Sequence, residues 1–289
     1  MDPKISPMQP SDIKGVDDIW QQAFGALRAA SPNPSPPRTD EAAVTDRKRI
    51  AHLLRSDPEG CVVARLDGGL VGFAQSLVRE GTFVLAMLGV QPEFQDRGVG
   101  AALLTRALGY SEGCRAQYIF SSTDPRALHR YVRAGFALHP TVAVTSRPAG
   151  GAVPAPGLRL SQGGEEDVAR VEEIDRAVRG SARWGDVEFW LSAGQRLVLD
   201  ERGAYAVVGN GRLAALGATS EPLARSLLAA LLHGYPDGEV LELSWIAAEQ
   251  AWAIETAADC HATLRVAGAI MTRAIRSLPV PYLPNGLFG

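Results

Sequence analysis

The chain has 289 residues and a formal net charge of -3, with 46% hydrophobic and 21% charged residues. This length predicts two domains with separate cores, and the composition is typical of a globular protein and excludes global disorder. Because the charges nearly balance, they give no electrostatic basis for binding nucleic acid or an anionic membrane, and we expect neither partner.

The cysteines and the apolar segments indicate the compartment. Cys61, Cys114 and Cys260 form no Cys-x-x-Cys pair and are too few for a disulfide framework. The first residues lack the basic and apolar segments of a signal peptide. The longest apolar run, residues 83–90, is far shorter than the roughly 20 residues of a membrane-spanning helix. We therefore expect a cytoplasmic protein without a membrane span.

Two proline-rich segments interrupt the chain. Residues 31–37 (SPNPSPP) separate two helical patterns, so we interpret them as a loop inside a domain. Residues 146–157 (SRPAGGAVPAPG) are nearly uncharged and have little to bury, which is typical of a connector between domains. We therefore predict a first domain over 1–145, a linker over 146–157 and a second domain over 158–289.

The first half predicts two helices, a three-strand meander, a helix, a strand and a helix. Caps at Ser11-Asp12 and Thr39-Asp40 predict the first two helices, and glycine-containing hairpin signals join the meander. The predicted strands are 61–66, 70–79, 82–90 and 117–121, and the later helices are 98–107 and 125–134.

The second half repeats a similar element order, which indicates a weak internal duplication. Its predicted strands are 158–160, 196–199, 204–208, 213–219 and 240–245, and its helices are 165–179, 187–193, 222–233 and 249–258. The expected fold class is α+β, with two tandem domains that each contain a mixed, mostly antiparallel sheet flanked by helices.

The segment that is most informative about function follows the third predicted meander strand, 82–90. A short turn there leads into an amphipathic helix, and Gly98 and Gly100 stand at the helix start. Glycines let backbone N–H groups approach a ligand, and the first N–H groups of a helix lack partners at the positive end of its dipole. The segment therefore predicts a cradle for a pyrophosphate, although such glycines also occur where a helix packs closely on a strand.

Two motifs resemble the GNAT superfamily of acetyl-CoA-dependent N-acyltransferases. Residues 95–100 (QDRGVG) match the family's Gln/Arg-x-x-Gly-x-Gly/Ala pattern. At the expected distance, residues 124–136 (DPRALHRYVRAGF) resemble its Asn-x-x-Ala-x-x-x-Tyr-x-x-x-Gly-Phe pattern. Two motifs in register are more specific than either alone. Residues 1–140 are similar to one GNAT domain, and the whole chain resembles tandem GNAT proteins whose second domain is degenerate.

The resemblance implies acetyl-CoA as co-substrate, bound where a mixed sheet opens between its fourth and fifth strands, and it implies no metal. By position, the backbone of Leu88, Gly89 and Val90 would hold the pantetheine and polarise the thioester carbonyl. The residues that would wrap the pyrophosphate are Gln95, Asp96, Arg97, Gly98, Val99, Gly100 and Ala101. Tyr131 would protonate the departing CoA thiolate, since an unperturbed phenol with a pKa of about 10 is a donor at neutral pH.

The sequence departs from the family pattern at two places. Asp124 stands where many members have Asn, so we assign it no contact with the cofactor. The fourth-strand run 82–90 contains no carboxylate to deprotonate the acceptor amine. The base is therefore Glu80, a carboxylate of the second domain, or solvent acting on an amine of lower pKa. Because neither Cys61 nor Cys114 has a recognisable nucleophile setting, we expect direct attack without an acyl-enzyme.

The second half lacks the cradle. Its corresponding segment, 217–225, has no Gly-x-Gly, and Glu221 at the helix start would repel phosphate. We expect its tryptophans, Trp184, Trp190, Trp245 and Trp252, to be core residues. The leucine stripe of its helix 222–233, made of Leu223, Leu227, Leu228, Leu231 and Leu232, is expected to face the sheet.

These observations predict an N-acetyltransferase that moves acetyl from acetyl-CoA to a primary amine. The acceptor is a small molecule or a peptide amine, and the protein is a monomer or homodimer. Two alternatives stay open: a non-catalytic acetyl-CoA-binding regulator, and a scaffold in which both halves are degenerate.

Overall fold

A computed structural model describes residues 2–29, 38–146, 158–183, 185–234, 240–275 and 277–289. Contacts between Cα atoms divide the chain into two compact units. Unit 1 contains Met1–Val78 and Phe83–Gln117, and unit 2 contains Arg79–Thr82 and Tyr118–Gly289. The predicted loop 31–37 and, apart from Ser146, the predicted linker 146–157 lie outside the described residues.

In its described residues, unit 1 contains all or nearly all of four strands, and three helices. The strands are β1 (Lys4–Pro7), β2 (Cys61–Leu66), β3 (Gly69–Arg79) and β4 (Thr82–Val90), and the helices are α1 (Ile13–Ala29), α2 (Asp40–Ser56) and α3 (Val99–Gly109). The strands neighbour one another in chain order, β1 and β2 each pairing antiparallel with the next strand. The last residue of β3 and the first residue of β4 belong by contacts to unit 2.

Local sequence accounts for the helix and turn positions in unit 1. Thr39 caps α2 as predicted, because its hydroxyl accepts a hydrogen bond from the Ala42 N–H at 3.1 Å. The β2–β3 hairpin turns at Asp67 and Gly68, whose positive φ angles of 49° and 81° suit a tight two-residue turn. The strand β1 was not predicted from the sequence.

Unit 2 contains most of β5 (Ala116–Ser121) and the remaining elements of the chain. Its other strands are β6 (Ala137–Thr145), β7 (Leu160–Gly163), β8 (Arg196–Asp200), β9 (Ala204–Gly209), β10 (Arg212–Ala218), β11 (Glu242–Ala247), β12 (Thr263–Arg273) and β13 (Tyr282–Leu283). Its helices are α4 (Pro125–Arg133), α5 (Val168–Val178), α6 (Asp186–Ser192), α7 (Glu221–Leu232) and α8 (Ala251–Asp259). The strand order is β5-β12-β6-β11-β10-β9-β8-β7.

The two sequence halves exchange strands within unit 2. Strand β6, from the first half, pairs antiparallel with β12 on one side and with β11 on the other, both from the second half. Val144 of β6 is opposite Leu243 in one ladder and Leu264 in the other. The compact units consequently divide within β5 and not at the predicted linker, and the bounds 1–145 and 158–289 stay a prediction about the two sequence halves.

A bulge interrupts the ladder between β6 and β12 at Gly268. The register shifts between Ala267 and Ala269 opposite Pro140, which has no N–H to donate. A Cβ on Gly268 would lie 1.8 Å from the backbone oxygen of Ser121 on β5, so only glycine fits this close approach. Because proline in a strand pattern argues against a central strand, β6 was not predicted here.

Helix α7 supplies the centre of the core of unit 2. All five leucines of its predicted stripe are buried, as expected for an amphipathic helix on a sheet. They share a cluster with Leu216 of β10 and Trp252 of α8. Trp190 and Trp252 are buried core residues as predicted, whereas Trp245 is half-buried and Trp184 lies outside the described residues.

Candidate functional site

The turn between β4 and α3 has the backbone that the glycine motif predicts. A short 3-10 turn, Pro92–Phe94, follows β4, and Asp96 and Gly98 then adopt positive φ angles of 61° and 81°. A Cβ on Gly98 would meet no atom within 4 Å, so glycine is favoured there by the backbone conformation and not by crowding. The turn is solvent-exposed from Asp96 to Gly98.

The start of α3 is open to an anion. Gly98 precedes the helix, and no side chain caps it. The N–H groups of Ala101 and Ala102 both donate to the Gly98 oxygen, so the uncapped donors of the first turn are those of Val99 and Gly100. The side chains of Val99 and Leu103 are buried against the sheet, whereas the residues just before the helix, Asp96 to Gly98, are exposed. This arrangement combines free backbone donors with the positive end of a helix dipole.

Two side chains of the motif hold the turn in place. Gln95 donates from Nε2 to the Val90 oxygen at 3.1 Å, which ties the turn back to the end of β4. The Arg97 guanidinium lies 5.5 Å from the centroid of the Phe94 ring. Gln95 therefore acts on the turn geometry, and its side-chain amide is directed at the strand end.

The end of β4 is closely packed from one side. A Cβ on Gly89 would lie 2.7 Å from the Phe73 ring, and a Cβ on Gly72 would lie 3.0 Å from the Gly89 oxygen. Leu88 is half-buried, whereas Gly89 and Val90 are buried. A side chain at Gly89 would displace the Phe73 ring, so glycine is favoured at this position.

Tyr131 lies on α4 and belongs to unit 2, whereas the cradle residues belong to unit 1. Its side chain is buried, and burial raises the pKa of the phenol to about 12. Among the residues with described positions, none forms a hydrogen bond with its hydroxyl. The group is therefore a protonated O–H at neutral pH that is available to donate.

Asp124 has a structural role that the sequence reasoning did not assign. Its carboxylate caps α4 by accepting a hydrogen bond from the Arg126 N–H at 2.9 Å, and the Arg126 guanidinium also donates to it. The hydrogen bonds from Arg126 lower its pKa. Asp and Asn are equally good caps, so the capping role allows either residue at this position. The sequence contains a signal for this cap, since Pro125 follows at the first helical position.

Glu80, a candidate base, is engaged in structural contacts within unit 2. Its carboxylate accepts hydrogen bonds from the Arg176 Nε at 2.9 and 3.2 Å and from the Ala182 N–H at 3.0 Å. The neighbouring Arg79 forms a fully buried two-point ion pair with Asp186, with both donor distances 2.9 Å. A carboxylate held in this way stabilises the β3–β4 turn and is poorly placed to accept a proton from a substrate.

The second half has no glycine cradle at the corresponding place. Glu221 begins α7 and pairs with Arg225 at 2.9 Å. Strands β10 and β11 pair only at Arg212 and Glu242. Further along β10, the short strand β13 pairs antiparallel with Leu216 and Gly217. Strand β13 therefore occupies the edge of β10 at the place where β10 and β11 are no longer paired.

The described ranges contain neither a cluster of metal-ligating side chains nor an apolar helix of membrane-spanning length. In those ranges no group of three or more His, Cys, Asp or Glu side chains could hold a metal ion. No described helix has the length and apolar character needed to span a bilayer.

Comparisons with known proteins show what the chain is similar to. Residues 19–136 match the model of the Acetyltransferase (GNAT) family. The mycothiol acetyltransferase of Streptomyces avermitilis is 33% identical over 134 residues, a match that covers 45% of this chain and 42% of that protein. The chain thus matches less than half the length of this relative. Residues 19–136 are therefore similar to the GNAT acetyltransferase family.

Solved structures extend the likeness to the whole chain. A protein of Pyrococcus horikoshii superposes with a TM-score of 0.74 at 19% identity, covering 99% of this chain and 96% of its own. A tandem GNAT protein from the clavulanic acid biosynthesis pathway gives a TM-score of 0.57 at 18% identity, over 96% of this chain and 100% of its own. The fold is therefore the predicted α+β tandem GNAT fold, with mixed sheets flanked by helices.

Proposed function

We propose that this protein is an N-acetyltransferase that transfers acetyl from acetyl-CoA to a primary amine. The observation that carries the proposal is the exposed, uncapped glycine turn between β4 and α3. Its geometry fits a pyrophosphate, since Gly98 leaves open space above the backbone and the N–H groups of Val99 and Gly100 have no side-chain cap. The match of residues 19–136 to the GNAT family supports the same assignment.

The cofactor contacts follow from the position of each residue. Leu88, Gly89 and Val90 would hold the pantetheine through their backbone at the end of β4. The pyrophosphate contacts would come from the turn and the first turn of α3, that is from Gln95, Asp96, Arg97, Gly98, Val99, Gly100 and Ala101. Gln95 would act chiefly by fixing the turn, because its amide already binds the Val90 oxygen.

The transfer step needs one proton donor at the sulfur. The neutral amine nitrogen attacks the thioester carbonyl, a C–N bond forms, and the C–S bond breaks with its electron pair leaving on sulfur. Tyr131 would give its phenolic proton to the thiolate, and its pKa of about 12 keeps it protonated beforehand. The amine proton is released to solvent, and the phenol is restored from solvent.

We assign the acetyl-CoA site to the first sequence half and consider the second half degenerate. Glu221 at the start of α7 disfavours phosphate, and β13 covers the edge of β10. The second half, 158–289, would then contribute to acceptor binding or to assembly, as a monomer or homodimer.

Calorimetry and thiol release test the proposed activity. Acetyl-CoA should bind at one site per chain, and CoA thiol should be released only when a primary amine is present. Binding without release across a broad amine panel would favour a non-catalytic regulator, and no binding would favour a scaffold. Radiolabelled acetyl that stays covalently attached to the protein would contradict direct attack.

A further inference from the structure

Arg179 is a cation without an ion-pair partner among the described residues. It follows α5 and donates from Nη1 to the backbone oxygens of Ser181 and Ala182, at 2.8 and 3.3 Å. The arginines near it in unit 2 are each paired with a carboxylate: Arg79 with Asp186, Arg176 with Glu80, and Arg183 with Asp175. The Nε and Nη2 donors of Arg179 therefore remain available.

The Arg179 side chain lines a cavity in unit 2. The cavity has about 300 Å³ of empty space when the solvent at its open mouth is included. Its walls are mainly aromatic and apolar, and include Tyr118, Phe120, Ile270, Leu278, Pro279 and Tyr282. The guanidinium lies 5.9 Å from the centroid of the Tyr282 ring, and no Asp or Glu side chain is among the lining residues.

Tyr118 places a second polar group in this cavity. Its ring stacks with that of Phe120, with centroids 6.3 Å apart and planes 13° from parallel. Burial raises the pKa of its phenol to about 12, against the smaller opposing effect of the Arg179 charge, so the hydroxyl stays protonated. No hydrogen bond joins this hydroxyl to any residue in the described ranges.

The remaining polar groups of the lining are already engaged. Gln250 donates from Nε2 to the Tyr282 oxygen at 2.6 Å and accepts from the Ala247 N–H at 3.0 Å. The Gly289 oxygen accepts hydrogen bonds from the Arg183 guanidinium and from the Tyr282 hydroxyl. The free donors of the cavity are therefore those of Arg179 and Tyr118, and the described lining offers no free carboxylate to compete for them.

We propose that this cavity binds a small carboxylate with a flat, apolar body. The carboxylate would accept hydrogen bonds from the Arg179 guanidinium and the Tyr118 hydroxyl, and the body would pack against Phe120, Leu278 and Pro279. An arginine beside apolar walls favours this ligand class, since a guanidinium presents paired donors to two carboxylate oxygens. The carboxylate belongs either to the acetyl acceptor or to a separate ligand.

Benzoate and its neutral isostere benzamide test the site on the full chain. By calorimetry, we expect benzoate to bind at least tenfold more tightly than benzamide. Arg179→Gln should abolish that preference, and Tyr118→Phe should weaken benzoate binding severalfold while keeping the ring. Arg212→Gln, which removes an exposed arginine of β10, is the matched control and should leave benzoate affinity unchanged.

Three results would overturn the proposal: no benzoate binding, equal binding of benzoate and benzamide, or wild-type benzoate affinity in Arg179→Gln. Thermal unfolding of each variant shows whether it is folded. If Arg179→Gln fails to fold, Tyr118→Phe with the same two ligands decides the question.

A pair of amines distinguishes the two sources of the carboxylate, and this comparison rests on the proposed acetyl transfer. If the acceptor carries the carboxylate, Arg179→Gln should raise the KM for 4-(aminomethyl)benzoate and leave the KM for benzylamine unchanged. If a separate ligand carries it, the two KM values should respond equally. Absence of turnover with any amine would refute the proposed function alone, because benzoate binding is measured without turnover.

Discussion

Replacement of Gly98 by alanine tests the cradle most directly. Gly98 has a φ of 81°, a conformation that costs a non-glycine residue roughly 1–2 kcal/mol. A Cβ there contacts no protein atom within 4 Å, so the added methyl would project into the space where we place the pyrophosphate. If the free turn relaxes to avoid the strain, binding must restore it, and the Kd of acetyl-CoA should rise about 5- to 30-fold.

The same unit contains a matched control for backbone strain. Gly113 has a φ of 78°, and a Cβ on it also meets nothing within 4 Å, but it lies in the turn after α3 and outside the cradle. Any strain that the free turn retains lowers Tm, so Tm is measured for both Gly98→Ala and Gly113→Ala. Calorimetry should show weaker acetyl-CoA binding only for Gly98→Ala. Wild-type affinity in Gly98→Ala, or an equal loss in Gly113→Ala, would refute the assignment of the turn.

Three further predictions concern Tyr131, Asp124 and the buried ion pair. Tyr131→Phe should lower kcat about 100-fold with an unchanged KM for acetyl-CoA, and wild-type kcat in steady-state thiol release would remove Tyr131 from its role. Asp124→Ala should destabilise the fold by about 1 kcal/mol, whereas Asp124→Asn keeps the cap and should cost little at neutral pH. Arg126 lowers the pKa of Asp124, so the ionised carboxylate stabilises the fold above its unperturbed pKa of about 3.9. This stabilisation is lost as pH falls through the lowered pKa. An acid-denaturation profile that is the same in Asp124→Asn and in the wild type would contradict this. Arg79→Met should lower the free energy of unfolding in urea by about 3–5 kcal/mol, since it removes the buried ion partner of Asp186. The double variant with Asp186→Leu should recover part of this loss. If Arg79→Met is as stable as the wild type, the ion pair contributes nothing to stability.

Local features of the fold were predictable from the sequence. The strands β2 and β4 begin and end at the predicted residues, and Thr39 caps α2 as expected. The glycine motif predicted a turn that enters a helix, and Gly98 has the left-handed backbone that favours glycine. These features depend on interactions between residues a few positions apart, so a short segment of sequence is enough to predict them.

Strand pairing between the halves was decided by tertiary contacts. Strands β6 and β12 were not predicted, because Pro140 and Gly268 weaken their strand patterns. They are nevertheless central in unit 2, since the bulge at Gly268 accommodates Pro140 and lets β5 approach closely. Strand β13 has only two residues and is defined entirely by its pairing with β10.

The candidate site also combines features that the sequence predicts with features that depend on tertiary contacts. The cradle and Tyr131 were predicted from short motifs, because phosphate binding at a helix start needs a local backbone shape. The engagement of Glu80 by Arg176 and the unpaired charge of Arg179 were not predictable. Glu80 and Arg176 are 96 residues apart in the chain, and Tyr118 and Arg179 are brought to one cavity only by folding. Which ionic groups are paired and which remain available depends on burial and on distances across the chain, and the order of residues does not specify these until the strands have paired.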